Sequence, residues 1–184
     1  MRPVSTALTR RRALGGAAAL ALASCGGSDP PPAGGPQAGS GAGLLNSIVA
    51  LEHASIAAWA AIAAALDGAA RAQAQAIRRR EIHHVQRVSA LVRDLGGAPP
   101  EGRPEREYAP MFPKLRDEAS ALRFARDLEE RLVRAYLDAL RSLPDSRQRR
   151  TAAEIAAEEA EDLAVVCLLS GDPASEKAFV TGTS

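Results

Sequence analysis

Five prolines, Pro99, Pro100, Pro104, Pro110 and Pro113, crowd the stretch between residues 96 and 116, inside a run of residues that otherwise favours helix. Proline has no backbone donor and its ring collides with the preceding turn, so no helix passes through such a stretch. The chain on either side must therefore complete its own helices. Before the prolines, Leu45, Ile48, Val49, Ile56, Trp59 and Ile62 recur at helical spacing and predict a helix over about 44–66. Asp67-Gly68 breaks it. A second helix is predicted over about 69–95, with Ile77, Val85, Val88, Leu91, Val92 and Leu95 on one face and Gly96-Gly97 as its stop. After the prolines the pattern repeats. A third helix over about 117–143 turns Leu122, Ala125, Leu132, Val133, Tyr136 and Leu140 inward, and Pro144-Asp145 makes the turn. Asp145 with Gln148 has the form of a capping box for a fourth helix that runs to Ser170 and stops at Gly171. Aromatics are only 3% of the chain, which favours closely packed helices over sheets. The expected fold is all-α: an antiparallel four-helix bundle of two hairpins joined by a long crossover.

The first 24 residues read as an export signal. Arg2, Arg10, Arg11 and Arg12 precede a 12-residue apolar run, ALGGAAALALAS, which is too short to span a bilayer. Thr9-Arg10-Arg11-Arg12-Ala13-Leu14 resembles a twin-arginine signal, with Ala13 where an aromatic is common. Leu22-Ala23-Ser24-Cys25 resembles a bacterial lipobox, which makes Cys25 the expected lipidation site. Residues 25–43, rich in Gly, Pro and Ser, read as a flexible tether. The bundle is expected over 44–171, followed by a surface tail, 172–184. The expected location is the cell envelope, with the lipid holding the protein to the outer face of a membrane. Cys167 lies in an apolar helical run and reads as an inert core thiol. The formal charge is +1, and without the four N-terminal arginines the remainder is mildly acidic, so nothing favours nucleic acid as a partner. The arginine runs Arg78–Arg80 and Arg149–Arg150 read as solvated faces.

Several acids stand on apolar stripes, where a solvated carboxylate does not belong. Glu52 lies between Ile48 and Ile56, and Glu129 between Ala125 and Val133. Glu81 follows Ile77 and precedes Val85, and His84 shares its face. Glu130 aligns with Arg126 and Arg134, and His83 with Arg79 and Arg87, so both read as exposed. In the fourth helix the stripe of Ala152, Ile155, Val166 and Leu169 turns Glu159 and Asp162 inward and Glu158 and Glu161 outward. Copying the offset between the first and third helices would select Glu158 and Glu161 instead. The halves also match each other, with Leu51-Glu52 then Trp59 and Leu128-Glu129 then Tyr136. Trp59 and Tyr136 read as core filler. Unpaired buried carboxylates each cost several kcal/mol and need protons, partners or a metal. One Glu from each of two helices, with Glu-x-x-His pairs from the other two, is the pattern of a dinuclear carboxylate site.

At these residues the chain resembles the ferritin-like superfamily, and more narrowly an uncharacterised group of bacterial ferritin-like domains with export signals. EIHHVQRVSALVRDLGG, beginning at Glu81, carries the likeness best. The resemblance implies two iron or manganese ions held by Glu52, Glu81, His84, Glu129, Glu159 and Asp162. It also implies chemistry on oxygen, peroxide or ferrous iron. Asp162 stands where the pattern has His. His84 and Asp162 have the alternative of pairing with each other across the bundle. The competing reading is a metal-free bundle acting as a tethered binding or structural module. A storage shell fits poorly with a lipid on every chain, and the oligomeric state is left open.

Overall fold

The computed structural model describes residues 41–171. The segment expected as an export signal, the expected lipidation site Cys25, the expected tether up to residue 40 and the expected tail from residue 172 lie outside the described residues. The chain forms α1 (Gly41–Ala64), α2 (Gly68–Asp94), a single-turn α3 (Glu105–Tyr108), α4 (Glu118–Ser142) and α5 (Ser146–Leu169). A 3₁₀ turn, Ala109–Met111, follows α3. The four long helices stand within a few residues of their expected bounds. α1 begins at Gly41, inside the segment expected as tether, because Leu45, Ile48 and Val49 bury fully and their packing carries the preceding turn into the helix.

α1 packs against α2 and α4, and α5 against α4 and α2. The core falls into two apolar clusters. One gathers Trp59 and Ile62 of α1, Ile77 of α2, Leu122 and Leu132 of α4 and Val166 of α5. The other gathers Leu45 and Ile48 of α1, Val88 and Val92 of α2, Tyr136 of α4, Leu143 just after it and Ile155 of α5. α2 therefore ends at the second cluster while α4 begins at the first. The connection between them must run the length of the bundle, which is why it is long.

Local chemistry fixes the ends. Gly96 ends α2 with φ +74°, a conformation that strains any residue with a Cβ. Its N–H donates to Arg93 and that of Gly97 to Val92, both at 2.9 Å. Asp145 caps α5 by accepting from the N–H groups of Arg147 and Gln148. Asp117 and Ser120 form a full capping box at α4. The two hairpin turns are clasped by arginines of the following helix. Arg71 donates to the carbonyls of Leu66 and Ala63, and Arg149 to those of Leu143 and Pro144.

The crossover is not wholly irregular. Pro104 precedes the first turn of α3, where a missing donor costs nothing. Tyr108 buries, takes a hydrogen bond from the Arg103 N–H at 3.0 Å, and carries the Arg103 guanidinium over its ring. The crossover lies on α1 so closely that a Cβ at Gly102 would meet His53 Nδ1 at 2.6 Å. Two arginine runs expected on solvated faces are partly recruited into the fold. Arg78 reaches the Ile56 carbonyl and Glu105, Arg80 reaches Asp162, and Arg149 holds the α4–α5 turn. An arginine's long stem lets its charge reach a buried acceptor from a surface position.

Candidate metal centre

Between the two apolar clusters lies a layer of ionisable side chains. Glu52 on α1, Glu81 and His84 on α2, Glu129 on α4, and Glu159 and Asp162 on α5 are all fully buried. These are the six residues that periodicity turned inward. Glu161 and His83 are exposed, and Glu130 pairs with Arg126 and Arg134 along the surface of α4. Cys167 is buried and unpaired with another cysteine.

Two overlapping sets of ligand atoms stand out among the described residues. Glu52, Glu81, His84 and Glu159 each present an atom within 4.8 Å of the others, and so do Glu129, Glu159 and Asp162. Glu159 belongs to both, the position of a bridging carboxylate. His84 Nδ1 lies 2.8 Å from Glu159 Oε1 and 3.6 Å from Glu81 Oε2, and neither approach is aligned as a hydrogen bond. Glu52 Oε2, Glu129 Oε2 and both oxygens of Glu81 and Glu159 are buried without a hydrogen-bond donor. Native proteins rarely leave such atoms unsatisfied. Hard oxygen donors with one imidazole suit iron(II) or manganese(II), so the residues present fit a pair of such cations.

The protonation pattern reports the strain of holding these acids together. Burial pushes Glu52 well above the ordinary carboxylate range, and the charges of Glu81 and Glu159 push it further. Glu129 rises for the same reasons. Burial also raises Glu159, to about 7. Burial alone would lower His84, but Glu159 and Glu81 outweigh it and lift the imidazole to about 10.

Four supporting contacts escaped sequence reasoning. Trp59 Nε1 donates to Glu129 Oε1 at 2.9 Å, and Tyr136 donates to Glu52 Oε1. The two aromatics expected as filler instead each orient the carboxylate of the opposite hairpin. The matched spacing of Glu52 with Trp59 and Glu129 with Tyr136 was the signal. Two antiparallel helices with acid and aromatic two turns apart exchange them reciprocally.

Glu158, expected outside, is half-buried and accepts from His84 Nε2 at 2.7 Å, while Arg87 bridges Glu158 to Glu154. Burial would raise the Glu158 carboxyl, but His84 and Arg87 outweigh it and hold it below its ordinary value. A carboxylate accepts at Nε2 and keeps a proton there, so the second proton, the one a cation would have to displace, is on Nδ1 facing Glu159 and Glu81. The alternative pairing of His84 with Asp162 does not form. Asp162 is taken by Arg80, whose Nε donates to Oδ2 at 2.9 Å.

The fold and this layer define an antiparallel helical bundle with a buried carboxylate–imidazole cluster at mid-height. The chain belongs to the ferritin-like domain family, whose pattern matches residues 40–172. No curated protein matches the sequence. Among solved structures it is similar to a conserved hypothetical protein from Mycobacterium tuberculosis, at 17% identity and TM-score 0.62, covering 71% of this chain and 90% of that one. It is also similar to a dodecameric thioferritin, a bacterioferritin-related protein from Bacteroides fragilis, at 19% identity and TM-score 0.62, covering 77% and 90%. Both likenesses are of fold.

Proposed function

We propose that this chain is a lipid-anchored envelope protein with a dinuclear iron or manganese centre, acting on oxygen, peroxide or ferrous iron. The observation that carries this reading is the set of buried carboxylate oxygens, from all four long helices, that face one another without donors. Glu52, Glu81 and His84 would hold one cation and Glu129 and Asp162 the other, with Glu159, which belongs to both sets, shared between them. Bound cations would supply redox change and open positions for an oxidant. The protein's own part is positional. Tyr136 and Trp59 hold Glu52 and Glu129, Glu158 holds His84, and the apolar clusters above and below keep bulk water away. Anchoring through Cys25 rests on the lipobox-like Leu22-Ala23-Ser24-Cys25 and the glycine- and proline-rich stretch after it.

Metal analysis of the chain lacking residues 1–25 tests the centre. The expected result is about two equivalents of iron or manganese, lost in Glu81→Ala. A Cys25→Ala full-length chain is expected to leave the membrane fraction. The second reading, a metal-free module, draws on one observation: Arg80 and His84 already place two cations among the acids. It requires a metal-free domain that gains stability in Glu81→Leu.

A further inference from the structure

The two halves of the carboxylate layer are unequal, and the inequality comes from Arg80. In the half built by Glu52, Glu81, His84 and Glu159, the ligand atoms meet no arginine among the described residues. Arg87 stands behind that half, on Glu158 and Glu154, and reaches it only through the far nitrogen of His84. In the half built by Glu129, Glu159 and Asp162, the guanidinium of Arg80 lies on Asp162. Nε donates to Oδ2, and Nη2 touches Oδ1 without an aligned hydrogen bond. Asp162 is fully buried, whereas the Arg80 side chain is 41% exposed. The arginine thus reaches in from solvent to a carboxylate that stands where a neutral imidazole would complete the pattern of Glu81 and His84.

We infer that Arg80 is a built-in cation that makes the centre fill in two distinct steps. This rests on the metal reading above and says how that site is loaded. The first divalent cation enters the arginine-free half. The second must share Asp162 with a fixed positive charge or displace it toward water, where the partly exposed side chain has room to go. Two positive charges a few ångströms apart in a poorly screened interior repel by enough to separate the steps at least about tenfold in affinity. Arg80 touches both oxygens of Asp162 but holds them from a partly exposed position and can swing toward water, so the second step is weakened rather than abolished.

The test is a calorimetric titration of the chain lacking residues 1–25 with manganese(II) alone, read in parallel by electron paramagnetic resonance. The wild-type chain is expected to bind one equivalent tightly and a second at least about tenfold more weakly, with an isolated-ion signal at one equivalent and a spin-coupled signal at two. Arg80→Gln is expected to tighten the second step by about tenfold or more while changing the first by less than about threefold. Arg80→Lys, which keeps the charge, is expected to keep the gap. Two equal steps in the wild-type chain, or a gap unchanged in Arg80→Gln, overturns the inference and leaves the metal reading standing. No binding by the wild-type chain overturns both. If Arg80→Gln does not fold, equal steps in the wild-type chain still overturn the inference, and Arg80→Met supplies the charge-free comparison in its place.

Discussion

The metal-free domain is expected to lose stability as pH rises from 5 to 8, opposite to a protein held by ordinary salt bridges. Glu159 is the clearest source. In the unfolded chain its proton leaves near 4.5, whereas the folded chain keeps it to about 7. Across that window the folded state binds more protons, so stability falls as pH rises. At roughly 1.4 kcal/mol per pH unit, the loss from this one group is about 3 kcal/mol by pH 8. His84 acts with the same sign. Its contribution is full below 6.5 and is lost as pH rises through about 10. Glu52 and Glu129 are raised too and add to the trend. Against a total stability of about 5–15 kcal/mol this is a large effect, about 10 °C in melting temperature. Below about pH 4.5 the depressed carboxyls of Glu158 and Asp117 turn the curve over. The assay is thermal unfolding by circular dichroism in chelator at several pH values, repeated with excess manganese(II). Cations need deprotonated carboxylates and a neutral imidazole, so stabilisation by metal is expected to grow with pH and to release protons. A metal-free melting temperature that is flat or rising between pH 5 and 8 refutes the reasoning, as does an unchanged slope in Glu159→Gln.

Tyr136→Phe removes the donor to Glu52 and leaves a buried carboxylate oxygen bare, for an expected loss of about 1–3 kcal/mol in denaturant unfolding. Glu158→Gln is expected to weaken manganese binding by about 10–100-fold, since it loosens His84 without touching a ligand oxygen, and calorimetry reads the change. Asp117→Ala is expected to lower the melting temperature through the lost cap of α4 and to leave metal affinity unchanged, a control for general destabilisation.

The sequence by itself determined the helices, their pairing and which face of each turns inward. That information is local. Helical periodicity places Glu52 with Ile48 and Ile56 whatever lies opposite, and burying Thr151 and Glu154 to turn Glu158 inward would cost more than a one-residue slip between hairpins. The tertiary structure alone decided who touches whom. Trp59 with Glu129, Tyr136 with Glu52, Arg80 with Asp162 and His84 with Glu158 are separated by 70, 84, 82 and 74 residues. Those partnerships depend on the axial register between helices and on long side chains at half-buried positions. Arg80 and Glu158 could each have faced water on their own helix. Each is drawn to the centre because the facing helix presents it a buried group of opposite charge.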